Sequence, residues 1–281
     1  VGTSDSVADA LGASIDALTA AGVDSPRLDA ELLLAAAAGL DREQLIAEPE
    51  APLAPGASRR FGAMVRRRLR REPVAYILGR KGFRRLELEV DHRALIPRPE
   101  TELLVEVGLE LAPRTALDVG TGSGAVALAL AAELPQARLT ATDSSPAALE
   151  LARANAGRLG LADRVAFEAG TLPDRGGFDL LLANLPYVAE SEWPGLAPEI
   201  RDWEPREALL AGPDGLDAIR ALLVALDERA RSGDPVGQAA ALEVGAGQAA
   251  AVAELVAAAG YPRTETRRDL AGIERVVVGR R

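Results

Sequence analysis

Apolar positions recur every three to four residues through SVADALGASIDALTAAGV and SPRLDAELLLAAAAG near the start of the chain. That spacing predicts amphipathic helices, and Asp24-Ser25-Pro26 supplies a start signal for the second. Asp41 to Ile46 predicts another short helix, and Ser58 can cap a further one across RRFGAMVRRRLRR at 59–71. In that segment Phe61, Met64, Val65 and Leu69 share a side expected to pack while the guanidinium groups stay in water. Four or five helices in a small bundle are therefore expected over 1–72. The register changes over PVAYILGRKGFRRLELEVDHRALI, where Phe83, Leu86, Leu88 and Val90 partly alternate and Gly79 and Gly82 permit turns; a hairpin-like connector is expected over 73–96. From Pro113 onward, short aliphatic runs alternate with helical patterns. TALDV, RLTATD, RVAFEAG, FDLLLAN and AAALEV are strand candidates, separated by helical segments such as AVALALAAELP, SPAALELARANAGRLG and LDAIRALLVALDERA. This order predicts an open, mostly parallel α/β sheet over 97–281, with ligands at the C-terminal strand ends. The last two strand-like segments, around Ala271-Gly272, lack room for a crossover helix and are expected to form an antiparallel hairpin.

Composition narrows the chemistry. The 281 residues include no cysteine and one histidine, which excludes thiol catalysis, iron–sulfur clusters and thiolate zinc sites and leaves no His-ligated metal centre; no metal is expected. Hydrophobic residues make up 48% of the chain but aromatics only 3%, so aliphatic and alanine packing must fill the core. No apolar run is long enough for a membrane span and no basic-then-apolar leader is present, so a soluble cytoplasmic protein is expected. The formal charge of -10 disfavours a general polyanion binder. Its distribution is uneven: residues 1–58 carry ten acidic residues and two arginines, whereas 59–71 carry seven arginines and no acid.

After the first α/β strand comes Asp118-Val119-Gly120-Thr121-Gly122-Ser123-Gly124. These glycines permit a tight turn and close backbone approach to a ligand, but the spacing is not the dinucleotide GxGxxG and no Lys-Ser or Lys-Thr pair makes a phosphate loop. Asp118 suits a ligand with a positive head or hydroxyl donors better than a diphosphate. A purely structural strand-to-helix turn is the alternative. The second strand ends at Asp143, a carboxylate able to accept both hydroxyls of a ribose; with Ser144 and Ser145 it can instead cap the next helix. A glycine turn, an acid after the second strand and no phosphate machinery together point to S-adenosylmethionine. Asn184-Leu185-Pro186-Tyr187 follows the fourth strand. A planar amide or amine nitrogen needs acceptors that orient its hydrogens, and Asn184 offers a side-chain oxygen, Leu185 a carbonyl and Tyr187 an aromatic wall, with Pro186 stiffening the turn. A routine loop is the competing reading. Phe83, beside this domain, is either a lid over a ligand or a core aromatic.

The chain resembles the HemK/PrmC family of methyltransferases, which modify the glutamine side-chain amide in the Gly-Gly-Gln motif of bacterial peptide chain release factors. The resemblance runs over nearly the whole length: Leu95-Ile96-Pro97-Arg98-Pro99-Glu100-Thr101-Glu102, the loop from Asp118 to Gly124, the NPPY-like Asn184 to Tyr187, Trp203-Glu204-Pro205, Asp214-Gly215-Leu216, Leu242-Glu243-Val244-Gly245 with Gln248, and Asp269-Leu270-Ala271-Gly272. It implies a Rossmann-like class I methyltransferase domain with a seven-stranded sheet, a β-hairpin linker and a helical N-terminal domain that binds the release factor. The expected cofactor contacts are Phe83, Asp118, Gly120, Thr121, Gly122, Gly124, Asp143, Ser144, Gly170, Thr171 and Asn184, and the expected catalytic group is Asn184, Leu185, Pro186 and Tyr187. S-adenosylmethionine is the expected donor, with S-adenosylhomocysteine as product. Class I release factors are the expected partners, for a monomer that binds neither membrane nor nucleic acid. The chain departs from the family at Leu185, where proline is usual, and at Gly170-Thr171, where Gly-Asp is usual. The first keeps the needed carbonyl; the second removes a carboxylate acceptor. An RNA or DNA adenine amino-methyltransferase and a non-catalytic binding protein are the alternative classes.

Overall fold

The structure is a computed structural model that describes residues 6–281. It divides into two compact units: the described residues through Gly79 together with Ala197–Trp203, and Arg80–Leu196 together with Glu204–Arg281.

The first unit is helical. Its elements are α1 (Val7–Ala20), α2 (Pro26–Ala38), α3 (Arg42–Ala47), α4 (Pro55–Leu69) and α5 (Val74–Leu78). Ser6 caps α1 by accepting from the Asp9 amide at 3.1 Å while the Asp9 carboxylate reaches back, and proline opens both α2 and α4. Ala54 precedes α4, so Ser58 lies inside that helix and not at its cap. Leu33, Leu34, Leu45, Phe61, Val65 and Ile77 meet in the core. The α4 arginines do not all stay in water. Arg68 is 5% exposed, donating to Asp29 at 2.7 Å and to Glu199 at 2.6 Å, and Arg71 reaches the other Glu199 oxygen at 2.7 Å. Such burial demands partners for every charge, and Glu199 comes from the Ala197–Trp203 segment, far along the chain.

The second unit begins with the hairpin β1 (Arg80–Phe83) and β2 (Leu86–Glu89). The strand pair is shorter than the 73–96 stretch that the pattern suggested, because Val74–Leu78 is helix and ends at Gly79 with φ +70. Then follow α6 (Glu102–Leu111), β3 (Thr115–Val119), α7 (Ala125–Glu133), β4 (Arg138–Asp143), α8 (Pro146–Arg158), β5 (Val165–Ala169) and β6 (Phe178–Ala183). After the short α9 (Pro198–Arg201), which packs in the first unit, come α10 (Asp217–Arg231), β7 (Gly237–Glu243), α11 (Ala249–Ala258), β8 (Arg263–Arg268) and β9 (Glu274–Arg280). The seven-stranded sheet has the order β5-β4-β3-β6-β7-β9-β8. Its first five strands are parallel, and β9 runs antiparallel to both β7 and β8. Leu117, Leu181, Leu222, Leu242 and Val277 are buried, as sheets covered on both faces require. The order switches direction at β3, so the loops after β3, β4 and β6 open into one crevice.

Asn155 on α8 is fully buried and fastens two of the parts around that crevice. Its Oδ1 accepts from the Glu89 amide at 2.7 Å, and its Nδ2 donates to the carbonyls of Glu89 and Ser123, both at 3.0 Å. Among the described residues, no helix is long and apolar enough to cross a membrane. Nor does any group of three or more His, Cys, Asp or Glu side chains there suit a metal ion.

Candidate active site

The loop after β3 turns through left-handed glycines, with φ +71 at Gly120, +56 at Gly122 and +86 at Gly124. A side chain is strained at such angles. At Gly120 it would also approach a Leu185 methyl to 3.1 Å, so this glycine lets the cofactor loop and the loop after β6 sit against each other. Gly124 serves packing instead, since a Cβ there would come within 2.9 Å of Leu128. The amides of Gly120 and Thr121 both donate to the Thr142 carbonyl at 2.9 Å, tying the loop to β4.

Asp118 is 2% exposed and accepts from the Thr121 hydroxyl at 2.6 Å and the Ala127 amide at 3.2 Å. Burial pushes its carboxyl up to about 6 against those two donors, and the nearby Asp143 adds to the rise. At the end of β4, Asp143 receives the Gly122 amide at 2.9 Å and the Ser145 amide at 2.8 Å, one on each oxygen. Ser145, not Asp143, caps α8 through the Ala148 amide. Each carboxylate oxygen has two lone pairs, so Asp143 retains acceptor capacity for ribose hydroxyls.

One cavity is lined by Asp118, Gly120, Thr121, Gly122, Asp143, Ser144, Asn184, Leu185 and Pro186. The expected cofactor and catalytic groups thus converge from three separate strand ends. Its two arginines, Arg93 and Arg98, are occupied by Asp91 and Glu204 respectively, so the carboxylates set its sign. A cavity lined by the carboxylates of Asp118, Asp143 and Glu207 and by a glycine turn fits a cationic, hydroxyl-bearing nucleoside such as S-adenosylmethionine.

Asn184 has an oriented amide: its Nδ2 donates to the Thr101 hydroxyl at 3.0 Å, which directs Oδ1 the other way as an acceptor. Tyr187 lies just outside the lining. Gln248 Nε2 donates to its carbonyl at 3.0 Å, while its hydroxyl donates to Glu243 at 3.4 Å. A Cβ at Gly215 would stand 2.3 Å from that same carbonyl, so the Asp214-Gly215-Leu216 turn and Gln248 clamp one peptide from two directions. Burial, with Glu243 beside it, pushes the Tyr187 phenol up to about 12, so it stays protonated.

Four expected cofactor contacts do not line the cavity, Gly124 among them. Phe83 is 2% exposed and does not line the cavity, the placement of a core aromatic and not of a lid over it. The Gly170 amide donates to the Asp143 carbonyl, and the Thr171 carbonyl accepts from the Thr142 hydroxyl, so their backbone fastens β4 and neither residue lines the cavity. Conversely, Arg93, Thr101, Ala148 and Pro205 line it without having been singled out as contacts. Glu204, 6% exposed, accepts from the Ile96 amide at 2.9 Å and from Arg98, which fixes the segment before α6.

Comparison with known proteins agrees with this geometry. Residues 9–79 match the family described as PrmC N-terminal domain, and residues 116–203 match a methyltransferase domain. The release factor glutamine methyltransferase of Cereibacter sphaeroides is 44% identical, over 97% of this chain and 98% of its own length. That of Moorella thermoacetica is 46% identical over 95% of both chains. Among solved structures, the human Mettl16 catalytic domain in complex with a MAT2A 3′UTR hairpin superposes with TM-score 0.55 at 14% identity, covering 69% of this chain and 74% of that one, a likeness of fold alone. With relatives this similar over 95% or more of their length, the chain belongs to the release factor glutamine methyltransferase family.

Proposed function

We propose that this protein transfers a methyl group from S-adenosylmethionine to the side-chain amide nitrogen of the glutamine in the Gly-Gly-Gln motif of bacterial class I release factors. The observation that carries the reading is the Asn184 amide, held by Thr101 so that its oxygen is an acceptor at the edge of the cavity. Asp143 accepts from the ribose hydroxyls, and Asp118 with the Gly120–Gly124 turn holds the charged end. When bound, the cofactor supplies an electrophilic methyl group on a sulfonium. An amide nitrogen is a weak nucleophile whose lone pair is delocalised into its carbonyl. Asn184 Oδ1 and the Leu185 carbonyl each accept one N–H, which fixes the nitrogen and favours charge development on it, while the Tyr187 ring closes one side. As the nitrogen–methyl bond forms, the sulfonium–methyl bond breaks to leave S-adenosylhomocysteine, and one N–H proton passes to water, leaving a neutral N-methyl amide.

We assign 1–72 as the release-factor-binding domain, 73–96 as the linker and 97–281 as the catalytic domain of a cytoplasmic monomer. Direct nucleic-acid binding finds little support: in the arginine-rich helix, Arg67, Arg68 and Arg71 pair with Glu72, Asp29 and Glu199. Incubation with labelled S-adenosylmethionine and either a release factor or total nucleic acid tests the reading. Label on the release factor alone is expected, and label on nucleic acid would reverse it.

A further inference from the structure

Asp269-Leu270-Ala271-Gly272 joins β8 to β9 and contributes no group to the cavity lining. Leu270 is fully exposed at the tip of this hairpin, and Ile273 beside it is 37% exposed. A lone leucine in water is ordinary on a protein surface. This one stands on a turn that is tied at several points. Asp269 Oδ1 accepts from the amides of Ala271 and Ile273, both at 2.9 Å, and its Oδ2 accepts from Arg275 Nε at 3.0 Å. The Asp269 amide donates to the Ile273 carbonyl and the Gly272 amide to the Asp269 carbonyl, again at 2.9 Å. Gly272, at φ +80, lets the chain reverse there. The four charged residues from 268 to 275 are all paired, Arg268 with Glu274 at 2.7 Å and Asp269 with Arg275, so the tip offers apolar surface without a free charge.

Its place in the sheet sets what it can meet. β9 runs antiparallel to β7 with Val276 opposite Glu243, and the Val244 amide donates to the Arg275 carbonyl at 2.8 Å. The turn before β9 therefore leaves the sheet at the edge where the parallel strands end, the edge that carries Asn184 and Tyr187. In the order β6-β7-β9 its base is two strand spacings, about 10 Å, from the end of β6. We infer that Leu270, with Ile273, is a docking contact for the release factor, seated on an apolar surface beside the Gly-Gly-Gln segment. The inference rests on the proposed function. A protein that delivers a glutamine into the cavity covers the rim around it, and Leu270 stands on that rim. With every nearby charge already paired, the contact there is apolar. Because Asp269 has ordered the turn beforehand, docking costs little backbone entropy.

The test uses the full chain with an intact release factor and, separately, with a short peptide around the same glutamine, measuring Kd by calorimetry together with kcat and KM. Leu270→Ser is expected to raise Kd and KM for the release factor about tenfold or more, the fold-change that follows from a leucine side chain buried at an interface. Its kcat, cofactor affinity and peptide activity should stay within about twofold of wild type, and its Tm should hold because the side chain is in water. Leu270→Met should recover most of the binding. The ratio of wild type to Leu270→Ser should be the same at low and high salt, as an uncharged contact requires. Unchanged Kd and KM in Leu270→Ser would overturn the inference, and so would an equal loss on the peptide, which marks a change in the cavity and not a lost contact. If the peptide reacts too slowly to read, a fall in kcat on the release factor with KM unchanged counts against it. A wild-type dimer in sedimentation that dissociates in Leu270→Ser, with release-factor affinity unaltered, gives the tip to a second copy of this chain and overturns it too. A wild-type protein that methylates no release factor overturns the functional reading, and this assignment with it. An active wild type with an indifferent Leu270→Ser overturns the docking role only.

Discussion

Asn184 and Asp143 stand on different strand ends and answer to different measurements. Asn184→Ala removes the acceptor proposed to orient the substrate amide and leaves the proposed ribose contact at Asp143 in place, so methyl transfer should fall by at least about a hundredfold while cofactor affinity holds. Calorimetry and initial rates on the same preparation check this, and a near-normal rate would exclude Asn184 as the amide-orienting group. Asp143→Ala does the reverse, weakening S-adenosylmethionine binding about tenfold to a hundredfold by removing a charged acceptor for two hydroxyls. Leu185→Pro should stay within about tenfold of wild type, because the carbonyl is retained and Pro186 already favours an extended backbone at 185. A collapse of activity there would mean that the leucine side chain, which already contacts the Gly120 turn, shapes the acceptor pocket.

Asn155 is where one helix holds a strand pair and a loop together, with three hydrogen bonds to Glu89 and Ser123. Asn155→Ala leaves those buried backbone groups unmet and should cost about 3 kcal/mol of stability, along with weaker cofactor binding through the loosened Ser123 turn. Urea denaturation and calorimetry read both effects, and an unchanged midpoint would show that water replaces the amide. The main strands were legible in the sequence because each is an aliphatic run ended by a glycine, acid or asparagine, as at Thr115–Val119 and Phe178–Ala183. The cavity-lining positions of Asp143 and Asn184 were legible for a related reason, since a polar residue directly after such a run falls at the C-terminal edge of the sheet. Val74–Leu78 was not, because five apolar residues between a proline and a glycine fit helix or strand equally. The seating of Ala197–Trp203 with the helical unit depends on Arg71 meeting Glu199 across 128 residues, a pairing no local pattern contains. Phe83 stayed ambiguous in sequence because burial in a hairpin and burial over a ligand leave the same trace there. Glu243 did leave a signal, an acid within AAALEV, which is rare in a strand covered on both faces.

For the molecule as a whole, the acidic site and the stability of the fold are set against each other. Burial raises Asp118 from 3.8 to about 6 and Glu243 from 4.5 to about 7. A raised folded-state value favours the protonated form, so this contribution is complete below the unfolded values and is lost as pH rises through 6 to 7. Asp91 and Glu133, held low by Arg93 and Arg84, act in the opposite sense, so the clean quantity is a difference between two proteins. Between pH 4.5 and pH 8 the stability of Glu243→Gln relative to wild type should rise by on the order of 3 kcal/mol, measured by urea denaturation. Parallel pH profiles would show that Glu243 is not held uncharged by the fold. The claim on which everything else depends is the identity of the acceptor atom. Peptide mass spectrometry of a release factor, after incubation with the full chain and S-adenosylmethionine, tests it most directly. One methyl group on the side-chain amide of the Gly-Gly-Gln glutamine, absent with Asn184→Ala, is the predicted result. An unmodified glutamine, or a methyl group on any other residue, would contradict it.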